Sequence, residues 1–166
     1  MTVTPVSVLK PGALQRLLEP HGLSLHWRPP GSAITGSYWG APEAGIVGNR
    51  LYLRDDTPVH SALHTAGHFI CMDETRRARL HTDCGGTDLE ESAVCYLQCL
   101  LAEKLPNYST ARMLADMDTW GYSFRLGSTR AWFEQDADDA RQWLQERGLL
   151  QNKKEFQSAK DANKSE

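Results

Sequence analysis

Apolar residues recur along this chain with two periods, and glycine or proline marks most changes from one to the other. Leu14, Leu17 and Leu18 in PGALQRLLE (11–19) have helical spacing, so a short first helix is expected, ended by Pro20 and Gly22. LSLHWR (23–28) alternates apolar and polar positions as a half-buried strand does, and Pro29-Pro30-Gly31 closes it. ITGSYW (34–39) and the pair GIV and RLYL predict two or three further strands, the last two turning tightly at Gly48-Asn49. These segments make a small antiparallel sheet.

The helical period then takes over. Thr57-Pro58 has the form of a helix start, with Thr57 as N-cap and proline at the first helical position, and the helix is expected to reach about Met72. Residues 73–88 read as a polar loop that turns at Gly85-Gly86. A second helix begins near Asp88 and carries LEESAVCYLQCLLAEKL up to Pro106, and Ser109 caps a third that runs to about Asp118. WGYSFRLGS (120–128) is a strand or an ordered loop. Ser128 caps a last amphipathic helix whose buried stripe is Trp132, Phe133, Ala137, Ala140, Trp143 and Leu144, with Gly148 at its end. Residues 151–166 lack apolar spacing and are expected to form a disordered tail. The whole predicts one α+β domain over 1–150, a small antiparallel sheet packed on helices.

Composition narrows the classes of function. With 166 residues, 40% hydrophobic and 23% charged, the chain has the make-up of an ordinary globular domain. No apolar run suits a membrane span and the N-terminus lacks a signal peptide's build, so a cytoplasmic protein with no membrane partner is expected. A net charge of -3 and no dense basic run before the tail argue against nucleic acid as the main ligand. Cys71, Cys84, Cys95 and Cys99 are too few and too irregular for a disulfide scaffold, so reduced thiols are expected.

HSALHTAGH (60–68) is where the chemistry concentrates. On a helix Val59, Leu63, Ala66 and Ile70 face one side, and His60, His64 and His68 form a second stripe about 120° round from it. Side chains at i and i+4 have Cβ atoms about 5–6 Å apart, so His64 and His68 can converge on one zinc ion. His60 and His68 are separated by about 12 Å of helix rise, which would force a nearly linear arrangement, so His60 is a neighbour of the site. The bland alternative is a set of polar surface histidines, because a lone H-x-x-x-H is a short motif. Glu90 and Glu91 open the second helix and offer a third ligand, although carboxylates there also complement the helix dipole.

Taken together these stretches resemble the ImmA/IrrE-type family of minimal zincin-like metallopeptidases. In that family a short helix and a small antiparallel sheet precede an H-E-x-G-H helix, and a following helix brings a glutamate in a stretch like E-x-A-x-x-F-A-x-x-L-L. The matching stretches here are RLYLRDDTPVHSALHTAGHFI (50–70) and LEESAVCYLQCLL (89–101). The resemblance implies His64 and His68 as imidazole ligands of Zn2+ and Glu91, two before Ala93, as the third, with Glu90 as the alternative. It places Gly67 on the family's glycine, Tyr96 on its aromatic residue and Leu100-Leu101 on the terminal pair. Cys95 and Cys99 follow Glu91 on its own face, so a thiolate competes with Glu91 as a ligand, against the commoner role of buried apolar residue.

The departure that matters is Thr65, which stands where the family keeps its general-base glutamate. Zinc still polarises a carbonyl and acidifies water to a pKa of about 7. Without the base, proton transfer loses roughly 10²–10⁴-fold in rate. Three readings follow: a zinc-binding pseudoenzyme, a hydrolase whose base comes from Asp83, Asp88, Glu90 or His60, and an interaction module that binds no metal. Asp83 and Asp88 flank Gly85-Gly86 at the expected cleft mouth. The partner expected is a peptide or protein, held along the sheet edge as an added strand beside Trp120, Tyr122, Phe124 and Arg125.

Overall fold

The computed structural model describes residues 2–150; the tail expected over 151–166 lies outside them. Among the described residues there are seven α-helices and one three-stranded sheet. The strands are β1 (Ser24–Trp27), β2 (Gly45–Val47) and β3 (Arg50–Leu53). The helices are α1 (Ala13–Leu18), α2 (Val59–Cys71), α3 (Glu74–Ala78), α4 (Asp88–Glu103), α5 (Thr110–Trp120), α6 (Thr129–Gln135) and α7 (Asp138–Glu146). None is long and apolar enough to cross a membrane.

The α+β expectation holds, but the sheet is mixed and not antiparallel. Its order is β1-β3-β2, with β2 antiparallel to β3 through the Gly48-Asn49 hairpin and β1 parallel to β3, Leu25 opposite Leu51. Alternation along a strand sets which face is buried and says nothing of strand direction. The chain reverses twice between β1 and β3, once in the long connection before β2 and once at the hairpin, so the two run the same way.

The segment 34–39 is not a strand. It touches β2 through the bridge of Ser37 to Gly45 and the Ile46 N–H donating to the Gly36 carbonyl at 3.2 Å. Gly45 permits this approach, because a Cβ there would lie 2.0 Å from the Thr35 carbonyl oxygen. Further along the same edge the Thr82 N–H donates to the Ile46 carbonyl at 2.9 Å, and Val47 bridges His81. The outer edge of β2 is therefore filled by the chain itself, which corrects the expectation of a peptide added there as a strand.

Thr57 does not cap α2 with its side chain. Its hydroxyl accepts the Arg54 N–H at 2.9 Å, and the Val59 N–H is met instead by the Thr4 carbonyl at 2.9 Å. Residues 73–88 contain α3, which Asp73 caps by accepting the Arg76 N–H at 2.8 Å. Ser109 caps α5 as expected, accepting from Arg112 at 3.1 Å. Residues 121–127 form a loop with no strand, and the single helix expected after Ser128 is two, α6 and α7, interrupted at Asp136 and Ala137. Asp136, at the break, leaves the helical conformation and accepts a hydrogen bond from Arg125 Nε at 3.1 Å.

The core centres on α2 and α4. Ala62, Leu63 and Ala66 of the former and Ala93, Val94 and Cys99 of the latter are wholly buried. The helices cross closely at Gly67, where a Cβ would stand 3.1 Å from Val94 Cγ1. On its other sides α4 packs against α5 and α7.

Candidate metal centre

Two successive turns of α2 carry His64 and His68, and the first turn of α4 carries Glu91 opposite them. His64 Nε2 lies 2.8 Å from Glu91 Oε1 and His68 Nε2 lies 2.9 Å from Oε2. The two rings are 4.8 Å apart at their centroids and nearly perpendicular. One ligand atom from each residue falls within 4.8 Å of the others, the only such His, Cys, Asp or Glu group among the described residues. Such a set, two imidazoles and a carboxylate on one side of a point, could hold a metal ion.

Gln98, two turns along α4 from Glu91, sets the tautomer. Its amide nitrogen donates to the His60 carbonyl at 3.2 Å, which leaves its oxygen to accept from His64 Nδ1 at 2.8 Å. With Nδ1 as the donor, a neutral His64 turns the lone pair of Nε2 toward Glu91. Lone pair and carboxylate repel unless a cation lies between them or the ring is protonated, so the arrangement fits a metal ion. Without an ion the cluster settles by charge. Burial favours a neutral His64, but Tyr122, Cys95 and Glu91 outweigh it and raise its pKa well above the ordinary value. Burial also opposes ionisation of Glu91, and the hydrogen bonds from His64 and His68 override it and hold the carboxyl well below its usual range. His68 Nδ1 is buried without a partner.

The triad floors a cleft of about 350 Å³, which Thr65, Asp83, Cys84, Glu43, Trp120 and Tyr122 also line. Thr65 lines the cleft one residue after His64, where an H-E-x-x-H helix would carry its glutamate. His60 is 1% exposed and outside the triad, as its spacing predicts; Nδ1 lies 3.2 Å from the Tyr122 hydroxyl and the ring packs on Trp120. Burial, with some repulsion from His64, lowers its pKa to about 4, which suits a neutral neighbour and not a general base working near neutrality. Asp83 reaches the cleft mouth, its carboxylate accepting the Gly85 N–H at 3.0 Å.

Three expectations do not hold here. Glu90 is turned away from the histidines and buried against Arg76, with contacts of 2.6 and 3.1 Å, where it lines a separate cavity. Neighbouring residues on a helix point about 100° apart, so only one of the two glutamates can face α2. Asp88 is exposed on the first turn of α4 and does not line the cleft. Of the aromatic segment only Trp120 and Tyr122 belong to the cleft, while Phe124 stacks on Trp132 and Arg125 pairs with Asp136. Cys95 is buried, and Glu91 supplies the third donor of the cluster.

Sequence reasoning missed Gln98, Glu43, Tyr38 and Trp39. Gln98 left a signal, a single amide in an apolar stretch seven residues after Glu91 and so on its face. Glu43 stands in a Gly/Pro-rich loop that gives no face to read, and Tyr38 and Trp39 lie in the segment expected as a strand, which assigns them to the sheet and not to the cleft. Comparisons with protein families, curated proteins and solved structures found no match to this chain.

Proposed function

We propose that this chain is a zincin-like metal-binding protein that holds a zinc ion with His64 Nε2, His68 Nε2 and Glu91, and that it is feeble or inactive as a peptidase because Thr65 replaces the general base. The observation that carries this reading is the convergence of two imidazole nitrogens from α2 on the carboxylate of Glu91 from α4, with Gln98 fixing the tautomer. A zinc ion bound there supplies Lewis-acid polarisation of a carbonyl and activation of water. The chain's own part is orientation: Gln98 holds the His64 ring as an outer hydrogen bond does in metal sites, and Gly67 lets α2 and α4 approach. The Thr65 hydroxyl does not titrate near neutrality, so it cannot take up and hand on the proton as a carboxylate does.

Metal analysis of tag-free protein is expected to find close to one zinc per chain, with affinity lowered by His64→Ala or Glu91→Ala. Zinc-free protein whose melting is indifferent to chelation would sink the proposal and leave the non-metal interaction module. Thr65→Glu is expected to raise general peptide hydrolysis by roughly 10²-fold or more. A second reading, a hydrolase with a relocated base, is favoured by one placement: Asp83 at the cleft mouth. It predicts native activity that Asp83→Asn abolishes and that Thr65→Glu does not increase.

A further inference from the structure

The wall of the cleft carries three large aromatic rings that folding leaves in the open. Tyr38 is 62% exposed, Trp39 69% and Trp120 39%. Tyr38 meets Trp39 at 77° and Trp39 meets Trp120 at 71°, so successive rings stand nearly at right angles, as adjacent walls of an aromatic box do. Trp120 is held in place by its indole N–H, which donates to Glu43 Oε1 at 2.9 Å. A carboxylate is thereby fixed at the edge of the box.

Charge around the cleft has one sign. Glu43, Asp83 and Glu91 line it, and no lysine or arginine does. On the metal reading above, a dication at the triad still leaves one negative charge over among these three carboxylates, with the histidines neutral. Aromatic faces beside carboxylates attract organic cations, because the ring quadrupole presents its negative side.

Beneath these rings His60 Nδ1 and the Tyr122 hydroxyl share a hydrogen bond at 3.2 Å, and the His60 ring packs on Trp120, which backs the wall. Because the outer edge of β2 is filled by Gly36 and by residues 80–82, a ligand cannot enter by strand pairing there and is recognised by its groups.

We propose that this cleft binds a compact ligand bearing a substituted ammonium group, received by the faces of Trp39 and Trp120 beside the Glu43 carboxylate. The reading deepens the metal proposal and rests on it for the charge balance.

The test titrates full-length, zinc-loaded protein with choline and follows tryptophan fluorescence and heat. Choline is expected to bind saturably, and its uncharged carbon isostere, dimethylbutanol, about tenfold more weakly. Trp39→Ala and Glu43→Gln should each weaken choline by about tenfold while zinc affinity, measured by calorimetry on the same variants, stays unchanged. Equal binding of choline and the isostere would make this an apolar subsite and overturn the proposal. So would no choline binding at millimolar concentration, or binding only by a peptide carrying trimethyllysine. Loss of zinc binding in the parent protein would instead defeat the metal reading, and the choline titration of zinc-free protein would still decide this one.

Discussion

Glu90 and Glu91 are adjacent carboxylates with unlike surroundings, and the difference predicts unlike consequences. Glu90 is nearly buried against Arg76, which also donates to the Cys84 carbonyl at 3.0 Å, so the pair pins the loop that brings Asp83 to the cleft. Glu90→Gln should cost about 2 kcal/mol in urea unfolding, less than a fully buried pair because the Arg76 side chain is 38% exposed. It should leave zinc affinity nearly unchanged, whereas Glu91→Gln should lower that affinity by at least about tenfold. The reverse result would exchange the two roles. His60 carries a pH prediction. Unfolded, it takes up a proton near pH 6.5; folded, only near 4. Between those values the unfolded chain binds more protons, so stability falls as pH drops through the window, by up to about 3 kcal/mol. Comparing unfolding at pH 7 and about 4.5, His60→Asn should show the smaller drop. An equal drop in both proteins would mean that His60 is not held neutral.

Between elements, the contact that matters most is α2 on α4 at Gly67. Alanine there gains about 1 kcal/mol of helix propensity, but its Cβ would press on Val94 Cγ1 at 3.1 Å, and Val94 is wholly buried and β-branched. Gly67→Ala alone should therefore be neutral or destabilising and should weaken zinc binding by prising the triad apart. Adding Val94→Ala should recover the zinc affinity; if Gly67→Ala is stabilising and binds zinc normally, close packing is not what the glycine is for. Both helices were legible in the sequence because a 3.6-residue period is local, and the i, i+4 pair of His64 and His68 follows from it. The choice between Glu90 and Glu91 was less so, since it depends on how α4 is rotated against α2. Strand direction was not legible, because β1 finds β3 across a reversal that no local pattern records. Nor was the break at Asp136 and Ala137, because the apolar stripe continues through it.

At the scale of the molecule, the cleft is assembled from the 36–46 loop, α2, the 82–86 rim, the start of α4 and Trp120 with Tyr122. Only the fold brings these stretches together, which is why Glu43 and Trp39 could not be assigned to it from the sequence. The triad also joins the two central helices of the core, so ion binding acts on global stability. A ligand that binds only the folded chain adds about 4 kcal/mol at a thousandfold excess over its Kd. For a domain of this size that corresponds to a rise in Tm on the order of 10 °C. Zinc added to chelator-treated protein should produce such a rise in calorimetry, and His64→Ala should remove most of it. Magnesium, which prefers oxygen ligands in octahedral array, should give none. A zinc-induced rise that persists in His64→Ala, His68→Ala and Glu91→Ala would place the ion elsewhere. A rise lost only in Cys95→Ala would make the thiolate, not Glu91, the third ligand.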